Sequence, residues 1–218
     1  MSNHGAGPLL AIDSGSPRVS VAVGNADSVF AEAGEERQRS STTLLALIDD
    51  VLATAGLRPL DLAGLVALRG PGSFTGLRVG LATALGLHQA LGLPAVGVPT
   101  LAILAGLGPG DGSTVVAVVD ALRGDWFAQP FRSADPPQAL DEPRLLSTEE
   151  MRQRDRSLIV GFGAADLIAV EAAGLVALEP PPLAAVAVRQ VSRFPIAWDP
   201  ASLVAPLYLR PPSAKPSG

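Results

Sequence analysis

Residues 70–80 read Gly70-Pro71-Gly72-Ser73-Phe74-Thr75-Gly76-Leu77-Arg78-Val79-Gly80, a run that neither a helix nor a strand tolerates throughout. An apolar segment at 65–68 precedes it, and a helical pattern follows it to Leu91. A strand passing through such a turn into a helix aims several backbone N–H groups at one point, which is the chemistry of an anion cradle. Ser73 and Thr75 would add hydroxyls to that cradle. The same geometry also serves a tight junction in which Ser73 is the N-cap and the glycines stay small for packing. Two catalytic motifs do not fit. A P-loop needs a lysine after its glycines, where this chain has Leu77 and Arg78. A nucleophile elbow needs glycine at the place of Thr75 and a histidine partner, and the two histidines are His4 and His88.

Asp13 and Asp120 each end an apolar strand at a turn, in Ile12-Asp13-Ser14-Gly15 and Val119-Asp120-Ala121. An aspartate there can hold a metal–nucleotide complex through water, or can simply form the turn with its own oxygens. A return strand follows both, so the two halves of the chain open alike. As a pair they suggest a two-lobed α/β fold of the actin-like, sugar-kinase-like kind, with the two hairpins facing across a cleft.

The patterning predicts the elements that would carry these residues. Strands are expected at 9–12, 18–23, 28–33, 65–68 and 95–98, with helices at 43–55, 76–90 and 99–106. Ser40 or Ser41 would cap the first helix and Gly56 would close it. A glycine-rich break at 106–112 divides the chain into lobes at 1–106 and 107–218. Beyond it, strands are expected at 114–120, 125–131 and 158–161, a short helix at 148–154, and a less marked alanine-rich helical stretch. Gly76, Gly80, Ala84 and His88 recur every four residues, so their helix presents a small-residue face to which another backbone can come close. With Leu44, Leu45, Ile48, Leu77 and Leu81, the small residues Gly76, Gly80 and Ala84 form the predicted association surface of the first and second helices.

Composition narrows the function classes. A chain of 218 residues with 48% hydrophobic and 17% charged content can bury a substantial core. Its net charge of −5, with basic residues that are scattered arginines apart from Lys215, argues against a protein that holds nucleic acid by itself. With no cysteine there is neither a disulfide framework nor a thiolate metal site, which fits a cytoplasmic address. The apolar stretches are broken before the roughly 20 residues a bilayer helix needs, and residues 1–8 do not read as a signal peptide.

The stretch from Gly70 to Ala84 resembles the signature of the TsaB (YeaZ) family, an accessory family in making threonylcarbamoyladenosine on tRNA. Further matches are Leu10-Ala11-Ile12-Asp13-Ser14, the 41–52 helix, 93–98, Asp120-Ala121-Leu122-Arg123-Gly124-Asp125 and Pro206-Leu207-Tyr208-Leu209-Arg210. Two positions depart from the family pattern: Arg39 replaces a histidine, and Leu122 replaces an arginine. The resemblance implies an actin-like (ASKHA, ribonuclease H-like) fold shared with the catalytic subunit TsaD. It places that subunit's paired metal-binding histidines at Thr100 and Leu104, neither of which can ligate as imidazole does. It therefore implies a non-catalytic scaffold without a metal or tightly bound cofactor. Such a scaffold pairs with TsaD or, alone, with itself, works alongside the ATPase TsaE, and meets tRNA only through the complex. ATP or ADP is expected, if anywhere, at the joint with TsaD. Two alternatives stay open: a self-sufficient nucleotide-binding enzyme using Asp13, Ser73, Thr75 and Asp120, and a glycoprotease-type metallopeptidase.

Overall fold

Each half of the chain opens with a hydrophobic hairpin that seeds a mixed sheet. The computed structural model describes residues 7–36, 44–153, 158–168, 176–193 and 196–208. In the first half the order is β1 (Leu9–Asp13), β2 (Arg18–Gly24), β3 (Val29–Glu36), α1 (Leu44–Ala55), β4 (Gly64–Leu68), α2 (Phe74–Leu91), β5 (Ala95–Val98) and α3 (Thr100–Ala105). The second half runs β6 (Thr114–Asp120), β7 (Asp125–Arg132), β8 (Gln138–Ala139), β9 (Arg144–Ser147), α4 (Thr148–Arg152), β10 (Leu158–Val160), α5 (Ala164–Ile168), β11 (Val176–Leu178) and α6 (Leu183–Val191). A 3₁₀ turn, Pro200–Val204, follows. The predicted caps Ser40 and Ser41 lie outside the described residues, as do Arg39, Leu209 and Arg210.

The two sheets repeat one topology. The first has the order β3-β2-β1-β4-β5, with β2 antiparallel to its neighbours and β1, β4 and β5 parallel. The second has the order β11-β10-β6-β7-β8, with β9 also on β7 and with β6, β10 and β11 parallel. Strand for strand, β6-β7-β10-β11 reproduce β1-β2-β4-β5. Consecutive parallel strands need a crossover, and α2 and α5 supply it at equivalent places. The duplicate is unequal: α2 has 18 residues and α5 has 5.

The last helix of each half leaves its own sheet. α3 packs on β6 and β7 of the second sheet, whereas α6 packs on β1, β2, β3 and β4 of the first. The two helices also touch each other. One apolar cluster therefore runs through both halves, joining Ala11, Val66 and Val98 to Leu101, Leu104, Val115, Phe131, Leu183 and Val188. A single cut at 106/107, as the glycine-rich break suggests, does not separate two lobes. The chain beyond α6 returns to the first sheet, where the Ser202 hydroxyl accepts the Gly97 N–H at 2.7 Å and Leu203 is buried in the core beside α2.

Candidate functional site

The glycine-rich turn is filled by the chain itself. β4 ends at Leu68, and Gly70 has φ +104°, a conformation that favours glycine. Ser73 then caps α2: its hydroxyl accepts the Gly76 N–H at 3.3 Å, and its carbonyl accepts the Leu77 N–H at 2.9 Å. The Ser73 N–H donates to Gly15 O at 2.9 Å. Two of the four amides at the start of α2, those of Ser73 and Gly76, are thus bonded within the chain, as the junction reading expects.

The small residues have an internal reason. A side chain at Gly76 would run into the Ser14 carbonyl oxygen, and one at Gly80 into the Ser14 hydroxyl. At Gly72 a Cβ would lie 2.8 Å from Gly15 O. The Ser14 hydroxyl in turn donates to Gly76 O at 2.7 Å, and Leu77 packs over Gly15. These contacts sew the β1–β2 turn onto the first two turns of α2. Asp13 belongs to the same seam: it is 0% exposed, and its Oδ1 accepts the amides of Gly15 and Ser16 at 3.1 Å each. With that oxygen it forms the turn.

Asp120 holds the equivalent position in the second hairpin but is exposed. Its Oδ1 accepts the Leu122 N–H at 2.7 Å, again a turn-forming bond. Leu122 and Arg123 both have left-handed φ, 65° and 61°. The structure therefore does not place Asp13 and Asp120 as two like carboxylates lining a cleft. Thr75 is exposed on the first turn of α2. No group of three or more His, Cys, Asp or Glu among the described residues could hold a metal ion. Thr100, 2% exposed, and Leu104 sit in the core shared by the two sheets.

Most of the predicted association surface faces inward. Ile48, Leu77, Gly80, Leu81 and Ala84 are buried, Leu81, Ala84 and Ile48 in the cluster under α1 and α2 and Leu77 and Gly80 against the β1–β2 turn. Leu44 and Gly76 are half-buried. Only Leu45, 57% exposed, points outward. The correction has a geometric origin: the four-residue spacing of Gly76, Gly80 and Ala84 marks a close approach, but the approaching backbone is the chain's own.

The outward face of α2 lies one step round the helix. It carries Phe74, 37% exposed, Val79, 49% exposed, Ala82, Gly86 and Ala90. Apart from Arg78, this 18-residue helix has no Asp, Glu, Lys or Arg. Among the described residues, nothing lies within 4 Å of where a Gly86 side chain would begin. The spacing 75, 79, 82, 86 and 90 was available in the sequence, but only burial tells which of two small-residue stripes meets solvent. Among the described residues no helix is long and apolar enough to cross a membrane.

Two repeated mixed sheets that exchange their last helices define an α/β, two-lobed protein of the actin-like ATPase fold. Solved structures agree. A Pseudomonas aeruginosa protein described as similar to peptidase YeaZ superposes with a TM-score of 0.71 at 23% identity, over 94% of this chain and 100% of that one. The activator of 2-hydroxyisocaproyl-CoA dehydratase from Clostridium difficile superposes at 0.52 and 9% identity, over 85% of this chain and 94% of that one. Residues 35–135 match the family model for TsaD, tRNA N6-adenosine threonylcarbamoyltransferase. The Escherichia coli tRNA threonylcarbamoyladenosine biosynthesis protein TsaB is 38% identical over 121 residues, 55% of this chain and 52% of that protein. Its Bacillus subtilis counterpart is 31% identical over 120 residues, with the same coverage. Signature turn, curated relatives and fold all make the chain similar to TsaB (YeaZ) proteins. The chain spans about half the length of the curated relatives it matches.

Proposed function

We propose that the chain is an accessory subunit in the formation of threonylcarbamoyladenosine on tRNA. It docks on a TsaD-type catalytic subunit through the outer faces of α1 and α2. The observation that carries the reading is the match to TsaB proteins together with what the matched region builds: a long helix with an exposed strip of small or apolar residues, Val79, Ala82, Gly86 and Ala90. An apolar strip of this kind on an outer face is poorly solvated unless something covers it. Gly86 sharpens the point, since glycine in a helix costs about 1 kcal/mol relative to alanine and nothing among the described residues requires it. Leu45 and Val79 supply apolar area beside it.

In this reading the chain lends surface and carries no chemistry. Thr100 and Leu104 offer no imidazole, Asp13 is turned inward, and the chain's −5 charge gives it no tRNA-binding role outside the complex. ATP or ADP belongs at the joint with TsaD, with TsaE as a further member of a cytoplasmic assembly. Self-pairing through the same face occurs when TsaD is absent. Reconstitution tests the proposal: tRNA, TsaD, TsaE and the threonylcarbamoyl donor are combined with and without this chain. Modification is expected only in its presence. Full modification without it, or ATP turnover by the isolated chain, would overturn the reading.

A further inference from the structure

Residues 196–208 return along the first sheet and end on the glycine-rich turn. Ser202 and Leu203 fix the middle of this segment at the β5 edge and in the core. Farther on, Ala205 O accepts Arg69 Nη1–H at 3.2 Å, and the Leu207 N–H donates to Arg69 O at 2.8 Å, just beyond β4. Tyr208 then closes on α2. Its ring centroid lies 4.9 Å from that of Phe74, and its hydroxyl accepts the Arg78 Nε–H at 3.2 Å. The Arg78 guanidinium carbon sits 3.8 Å above the Phe74 ring. Two stretches far apart in the chain, each part of the family resemblance, thus meet in one three-residue cluster.

We infer that Tyr208, Phe74 and Arg78 form a latch by which the return segment holds the first turn of α2. The first turn of a helix lacks the backbone partners that secure later turns, so side-chain contacts decide how firmly it is held. Stacking and a cation over a ring face supply such contacts. The latch also keeps Arg78, the one Asp, Glu, Lys or Arg of α2, folded onto Phe74. Its members are surface residues, Phe74 and Tyr208 each being more than a third exposed, so this end opens while Leu203 stays anchored. Tyr208 is accordingly a positioning residue for the outer face of α2. The consequence for docking rests on the proposed function above.

Hydrogen exchange on the full chain tests the latch. In Tyr208→Ala, the amides of residues 76–80 and of Leu207 are expected to exchange at least about fivefold faster than in the unaltered chain, with those of β1 and β4 unchanged. Tyr208→Phe, which keeps the ring and loses the hydroxyl, should fall between. Unchanged exchange at 76–80 overturns the latch, as does an equal acceleration in β1 and β4, which marks general destabilisation. In a titration against TsaD, Tyr208→Ala should bind at least about fivefold more weakly, and equal affinity breaks the link between latch and docking. Failure of the unaltered chain to bind TsaD would count against the docking reading, while the exchange result still decides the latch.

Discussion

Single residues decide between ligand binding and packing at the glycine-rich turn. Gly80→Ala presses a methyl group into the Ser14 hydroxyl, and overpacking of this kind costs about 1–3 kcal/mol. Gly76→Ala meets the Ser14 carbonyl, which is backbone, and should cost more; urea unfolding of the two variants checks the order. Ser73→Ala removes an N-cap, an expected loss of about 1 kcal/mol with no change in phosphate affinity. A loss of phosphate binding in Ser73→Ala would restore the anion cradle. One surface pair gives a pH prediction. Arg58 donates to the Asp61 carboxylate at 2.8 and 3.1 Å, and that hydrogen bonding holds the Asp61 pKa at about 2. A carboxyl lowered on folding contributes stability above its unfolded value, and the contribution is lost as pH falls through the folded one. The small stability difference between the unaltered chain and Asp61→Asn should therefore shrink between pH 4 and pH 2 in acid unfolding, since the pair is exposed.

At the scale of elements, α2 has two small-residue stripes with opposite jobs. Gly76, Gly80 and Ala84 turn inward, and Ala82, Gly86 and Ala90 turn outward. Gly86→Ala should raise the stability of the isolated chain by about 0.5–1 kcal/mol through helix propensity, whereas Gly80→Ala should lower it. Thermal unfolding of the pair reads the opposite signs directly. The strands and helices of the first half were legible because their patterns are strong: alternation in 18–23, a leucine stripe in 44–52, a capping serine before Phe74. Which stripe of α2 faced inward was not legible, because both have helical spacing and the deciding neighbour, Ser14, is distant in sequence. Phe74 lies within the glycine-rich motif, but its partner Tyr208 comes from the far end of the described chain. In the second half, β8, β9 and β11 are two to four residues long, too short to show a period.

For the whole molecule, the exchange of α3 and α6 makes the two sheets one folding unit. The duplicated strand–aspartate–strand opening announced two sheets, and the glycine-rich break announced a boundary. The crossing helices could not be read, since an alanine- and valine-rich helix such as 183–191 fits either sheet equally well. Residues 1–106 by themselves lack α6 and leave one face of the first sheet uncovered, so that fragment should show no cooperative unfolding transition in calorimetry. Leu183→Ala, at a fully buried site, should cost about 2–5 kcal/mol and move a single transition that both sheets share. The central claim is that this chain serves by docking, through the outer face of α2, on a TsaD-type subunit. The most direct measurement is a calorimetric titration of TsaD against the unaltered chain and against Gly86→Arg, whose side chain projects into open space. Saturable binding by the first, with a loss of at least about a hundredfold in the second at unchanged melting temperature, is predicted. Equal affinity of the two chains for TsaD would contradict the account.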